Sequence, residues 1–134
     1  MSEPFPLPER SPLTAPYWDG LAQGRLQFQR CAKCGHAWLP PRAECPSCLH
    51  PTWSWQEAKG GGRLVSWVVY HIAYHDGFAD RLPYNVAVVE LDEGPRLITN
   101  NVNPEAAGGL KADRRVTLLI EEEHGVSLAR FRLT

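Results

Sequence analysis

All four cysteines of the chain fall within one 18-residue stretch, as Cys31-Ala-Lys-Cys34 and Cys45-Pro-Ser-Cys48. Two C-x2-C pairs ten residues apart are the ligand pattern of a tetrahedral thiolate site, each pair supplied by one short turn. A two-residue gap lets both sulfurs of a pair face the same ion. Gly35 follows the first pair and suits the positive φ that such a turn needs. Leu49 stands where the second turn would want a glycine, so that turn is expected to close with a different geometry. Arg30, Lys33 and Arg42 are near enough in sequence to offset the negative charge of zinc with four thiolates. Two disulfides, iron in the same cage, or His36 or His50 in place of a cysteine are the competing readings. Structural zinc on Cys31, Cys34, Cys45 and Cys48 is the preferred one, because no signal-peptide pattern opens the chain. Four protein ligands leave no open position for substrate, so such a site holds the chain together and does no chemistry itself. Pro40-Pro41 and Pro46 speak against a redox CxxC at a helix start.

The 134 residues suffice for one core, or for a modest domain with a metal-stapled appendage. No run of eighteen apolar residues occurs, which gives no membrane span, and reduced cysteines without a targeting signal point to the cytoplasm. Residues 1–24 read as an extended arm carrying Pro4, Pro6, Pro8 and Pro12, followed by a short helix. Thr14 is the expected cap, Trp18, Leu21 and Ala22 the shared face, and Gly24 the stop. Residues 25–59 form the ribbon. Its lead-in strand puts Leu26 and Phe28 on one face and Arg25, Gln27 and Gln29 on the other, and its exit strand puts Trp53 and Trp55 on one side.

Gly60-Gly61-Gly62 marks a hinge or a sharp turn leading into residues 60–134, which read as β throughout. Strands are expected over 64–72, 84–91, 96–102, 116–121 and 126–133, with one longer connection at 103–114. Five strands in so short a stretch fit an oligomer-binding-type (OB) β-barrel, since closure removes exposed edges; a two-sheet sandwich is the rival. The fold class is therefore mainly β.

No phosphate loop, dinucleotide fingerprint, zinc-protease motif or nucleophile elbow is present, so no catalytic residue is assigned. His75 beside Asp76 is the nearest thing to a base with an orienting carboxylate, but adjacent residues rarely face each other. His71 alternates onto the face of Trp67 and reads as a half-buried strand residue. Two classes of function survive. A zinc-ribbon/OB protein that binds single-stranded nucleic acid would stack bases on Trp67, Tyr70 and Tyr74. The acidic barrel half and the net charge of −1 make nucleic acid an unfavoured partner. The other class is an accessory module that docks on an enzyme.

The ordered features resemble a known family. They are Tyr17-Trp18-Asp19-Gly20-Leu21, Gly24-Arg25-Leu26, Gln29-Arg30-Cys31, Cys34-Gly35, Pro40-Pro41-Arg42 and Cys45-Pro46-Ser47-Cys48. They continue with Gly60-Gly61-Gly62, Val65-Ser66-Trp67, Pro83-Tyr84, Val88 to Gly94 and Phe131-Arg132. The series is similar to the DUF35 family over about residues 15–132, departing from it at Leu49 and at Ala112-Asp113, where a glycine is usual. The resemblance implies a helical segment, a rubredoxin-like zinc ribbon and a C-terminal OB barrel. It further implies an accessory subunit of a thiolase-like large subunit in a hetero-oligomer, supporting binding and turnover of an acyl-CoA thioester without activity of its own. One branch comprises the small subunits of benzoylsuccinyl-CoA thiolases. Under that reading the loop 73–82 lies near the acyl-CoA channel, and Arg63 and Arg81 are the candidates for the CoA phosphates.

Overall fold

The computed structural model describes residues 7–106 and 108–134, the side chain of Asp76 aside. Of the proline-rich arm, residues 1–6 lie outside the described residues. Helix α1 spans Ala15–Ala22. Thr14 contributes no side-chain cap of its own. Ser11 and Thr14 instead form a reciprocal pair one turn earlier: the Ser11 N–H donates to Thr14 Oγ1 at 2.9 Å and the Thr14 N–H to Ser11 Oγ at 3.2 Å. Pro16 takes the first-turn position where its missing N–H costs nothing. At the other end the Arg25 and Gly24 N–H groups donate to the carbonyls of Gly20 and Leu21, closing the helix in a Schellman turn. Leu21 is buried and Trp18 packs on the core, whereas Ala22 is exposed.

A three-stranded antiparallel sheet follows: β1 (Gln27–Cys31) in the centre, with β2 (Ala37–Trp38) and β3 (Trp53–Glu57) on its flanks. Gln29, expected on the polar face, is fully buried. Its Nε2 donates to the Arg42 carbonyl at 2.8 Å and its Oε1 accepts from the Arg42 N–H at 2.7 Å. The amide is satisfied on both sides, which is the condition for burying it.

The second sheet holds β4 (Gly61–Tyr70), β5 (Tyr84–Leu91), β6 (Arg96–Thr99), β7 (Arg115–Glu123) and β8 (Val126–Leu133), in the order β6-β5-β4-β7-β8. A parallel bridge from Asn101 to Phe131 brings the chain after β6 alongside β8 and curls the sheet toward closure, as an OB barrel requires. Gly61 and Gly62 of the triglycine start β4, where Gly62 pairs with β5 and β7 at once. A Cβ on Gly62 would stand 2.7 Å from the Glu90 carbonyl oxygen, so only glycine fits that crossing.

β4 starts earlier than expected and ends at Tyr70, leaving His71 exposed beyond the strand and not half-buried within it. β6 stops at Thr99 instead of running to Val102. The reason is Asn85, whose side chain takes both the N–H and the C=O of Asn101, at 2.7 and 2.9 Å, and pulls that segment out of the ladder. One core serves helix, ribbon and barrel together: Leu21, Leu26, Phe28 and Ala37 belong to the same buried cluster as Leu64, Val89, Val116 and Phe131.

Candidate metal centre and barrel clefts

The two cysteine turns have matching hydrogen bonds. Cys31 N–H donates to the His36 carbonyl at 2.8 Å and Gly35 N–H to the Cys31 carbonyl at 3.2 Å; Cys45 N–H donates to His50 at 3.1 Å and Leu49 N–H to Cys45 at 2.8 Å. Leu49 adopts φ 65°, against 77° at Gly35. The expectation of a different second turn is therefore corrected: backbone geometry is retained and the leucine accepts the left-handed region at a steric cost. Asp113, at the other departure from the family pattern, does the same with φ 66°.

These turns bring the four sulfurs within 4.8 Å of one another, with Cys31–Cys48 and Cys34–Cys45 each at 3.6 Å. A tetrahedron with metal–sulfur bonds of about 2.3 Å has edges of about 3.8 Å, so the spacing fits zinc. It does not fit disulfides, whose sulfurs lie about 2.0 Å apart, and all four cysteines are free. Backbone N–H groups, that of Cys34 foremost, pull the Cys31 thiol down to about 6. Cys34 goes the other way, to about 12: the His36 N–H favours its thiolate, but burial and the neighbouring thiols outweigh it. Four thiolates cannot coexist in this volume without a cation, which is what a zinc ion supplies. Neither histidine is among the clustered ligands. Of the basic residues expected to offset the cluster's charge, Arg30 donates to the Gly35 carbonyl at 2.8 Å and to Gln56 at 3.0 Å, bracing the first turn. Trp38 and Trp53 cover the sulfurs.

On the barrel, Arg63 is ion-paired with Glu90 (3.3 Å) and with Asp113. Arg81 is paired with Glu123, which also holds Arg130, and its guanidinium lies 5.4 Å from the Phe78 ring centroid. The two arginines are not brought together. His75 caps the 3-10 turn Asp76–Arg81, its Nδ1 accepting the Gly77 N–H at 2.9 Å.

Arg81 borders a cleft of about 250 Å³ between that turn and the segment after β6, lined also by Phe78, Tyr84, Asn85, Asn101 and Arg130. An adjoining cleft of about 410 Å³ adds Tyr70, Tyr74 and Ile98. Tyr84 stacks between Tyr70, at 5.3 Å, and Phe78, at 5.5 Å. The asparagines and Arg130 were not singled out in the sequence. The available signal was Asn85, a polar residue in phase with the buried Ala87, Val89 and Leu91 of β5.

Comparison with known proteins agrees with this architecture. A family model described as "ChsH2, rubredoxin-like zinc ribbon domain" matches residues 18–53, and one described as "ChsH2, C-terminal OB-fold domain" matches residues 55–120. A solved chain from a "Ltp2-ChsH2(DUF35) aldolase" superposes with TM-score 0.80 at 36% identity, covering 95% of this chain and 98% of that one. A "Probable enoyl-CoA hydratase alpha subunit" of Thermomonospora curvata is 38% identical over 112 residues, 76% of this chain and 34% of that protein. A "DUF35 domain-containing scaffold protein" of Methanocaldococcus jannaschii is 39% identical over 70 residues, 51% of this chain and 48% of the relative. The match thus spans about a third of the first curated relative and about half of the second. With ribbon and barrel both matched, and an equally long relative superposed along nearly its whole length, the chain belongs to the DUF35 family.

Proposed function

We propose that this chain is a non-catalytic accessory subunit that docks on a thiolase-like enzyme and supports binding and turnover of its acyl-CoA thioester. The observation that carries the reading is the superposition along nearly the whole chain, ribbon and barrel in one arrangement, on the DUF35 chain of an aldolase. The enoyl-CoA hydratase alpha subunit adds a relative whose name places the same cassette with acyl-CoA chemistry. The chemistry of the chain agrees: its cysteines converge on one closed cage, leaving no free thiol nucleophile and no open coordination position. Nucleic acid is disfavoured because, among the described residues, Arg63, Arg81, Arg96, Arg115 and Arg130 all meet carboxylates, which offsets the positive charge a phosphate backbone would seek.

The test is isolation of the native protein under mild conditions. A thiolase-like subunit should co-purify, the isolated chain should neither cleave nor condense acyl-CoA thioesters, and adding the partner should restore turnover. A partner-free sample that turns over as fast as the complex would overturn the reading, and a nuclease-sensitive polynucleotide in place of a protein partner would replace it. For the CoA phosphates, Arg63 and Arg81 would each have to exchange a carboxylate partner for the ligand. Arg81→Ala in the complex should weaken CoA-ester binding and flatten its salt dependence, with zinc and assembly intact. Unchanged values would remove Arg81 from the site.

A further inference from the structure

Strand β4 has a long stretch of unpaired edge. It is joined to β7 only over Gly61, Gly62 and Arg63. The last bonds on that side run from the Leu64 N–H to the Arg114 carbonyl at 2.9 Å and from the Asp113 N–H to the Leu64 carbonyl at 2.7 Å. The register against β5 then skips Val65 and resumes with Ser66 opposite Val88, Val68 opposite Val86 and Tyr70 opposite Tyr84. Along β5 the bonding direction alternates: the Leu91 N–H turns to Pro95 in the hairpin with β6, and the Asp92 N–H turns to Gly61 of β4. By the same alternation Val88, Val86 and Tyr84 face β4, so Ser66, Val68 and Tyr70 are the residues that bond them. The N–H and C=O groups of Trp67 and Val69 therefore point the other way, where no strand stands among the described residues.

Open edges in soluble proteins are commonly guarded by charge or proline. Across the seam β7 ends in Glu121-Glu122-Glu123, and the ribbon strand β3 ends at Glu57. The segment Val65-Ser66-Trp67-Val68-Val69-Tyr70 has neither guard and consists almost wholly of strong strand formers. Val68 and Val69 are 53% and 46% exposed, so both faces of this edge are open to water. An unguarded edge of this kind accepts an added strand through its main chain.

The symmetry of the segment selects which strand. The skipped Val65 bounds it at one end and Tyr70 at the other, which leaves residues 66–70 with Val68 at the centre. A second copy laid antiparallel about a two-fold axis at Val68 sets that valine against its own counterpart, Ser66 against Tyr70 and Trp67 against Val69. Facing side chains then lie on the same side of the joined sheet at every position, and Trp67 and Val69 of each chain exchange both backbone bonds. No charged residue lies within the paired segment, so the two-fold brings no like charges together.

We infer that the chain forms a two-fold dimer by pairing β4 edge to edge, residues 66–70 against the same residues of a second copy. The pairing is a property of the chain itself and does not rest on the acyl-CoA reading.

The test is sedimentation velocity of the zinc-loaded full chain over a concentration series. The mass should rise toward twice the 15.0 kDa of one chain and fall again on dilution. Val69→Pro removes an edge N–H and leaves the bonds to β5 in place. Each dimer then lacks two hydrogen bonds, one from each chain, and association should weaken about tenfold or more. Val68→Lys sets two ammonium groups against each other at the axis and should leave monomer, while an equimolar mixture of Val68→Lys and Val68→Glu proteins should dimerise again. A wild-type chain that stays monomeric throughout the series overturns the inference, whatever other strand covers the edge. It falls equally if either Val69→Pro or Val68→Lys dimerises as the wild type does, or if the mixture stays monomeric.

Discussion

Gly35 and Leu49 occupy the same corner of two like turns: each has its N–H on the carbonyl of the cysteine four residues earlier and a φ within 12° of the other's, 77° and 65°. Glycine takes that conformation freely, whereas leucine holds it against a clash of Cβ with the backbone worth about 1 kcal/mol. Leu49 is 69% exposed, so its side chain recovers little of this by packing. Leu49→Gly is therefore expected to raise the melting temperature of the zinc-loaded chain by a degree or more, despite the greater freedom of glycine when unfolded. Gly35→Leu should lower it by several degrees. Calorimetry of the pair checks the opposite signs.

Zinc should be present at about one ion per chain by elemental analysis, and its removal should be felt in the tryptophans packed around it. Trp38 and Trp53 pack directly on the sulfurs, so chelation or Cys34→Ser should redshift tryptophan emission as that cluster opens. Because a small thiolate module gains its order from the metal, both treatments should also reduce stability. Metal-free protein with native tryptophan emission would show that the cysteines need no ion.

Gln29 is a buried amide with both ends spent on the Arg42 backbone. Gln29→Ala removes both bonds and leaves a cavity, and is expected to cost about 2 kcal/mol or more in urea denaturation. Gln29→Glu should cost at least as much, since a carboxylate repels the Arg42 carbonyl. A loss under 0.5 kcal/mol for both, on the order of an ordinary surface substitution, would mean that the loop pays nothing for losing its partner.

Glu90 is held below the ordinary carboxylate range, first by the hydrogen bond from Arg96 and then by Arg63. Its folded pKa is lower than its unfolded one, so its contribution is complete above the unfolded value of about 4.3 and disappears as pH falls through the folded value. Glu90→Gln should then be less stable than the wild type at pH 7 and low salt, with the gap closing below about pH 4. Melting curves across that range read the difference. A gap that does not narrow at all as pH falls would assign the effect to something other than charge.

The barrel was legible because its apolar runs are bounded by turn residues and β5 alternates strictly: the limits of β5 and β8 agree with expectation residue for residue. The cysteine cage was legible from spacing alone. What escaped was set by contacts distant in sequence. Gln29 looked like a surface residue because nothing local reveals that the Arg42 backbone will meet it. The early end of β6 depended on Asn85, sixteen residues before Asn101. Likewise the capping pair Ser11–Thr14 was mistaken for Thr14 alone, since Thr14 sits next to the first helical turn while its partner lies three residues upstream.

The shared core has a practical corollary for building with this protein. Cutting at the triglycine, where the sequence changes character, would separate Leu26 and Phe28 from Leu64 and Val89 and give two fragments with raw apolar faces. The transferable unit runs from the Ser11–Thr14 pair to the end of β8. A graft onto another enzyme should place its junction upstream of Ser11 and carry ribbon and barrel as one piece.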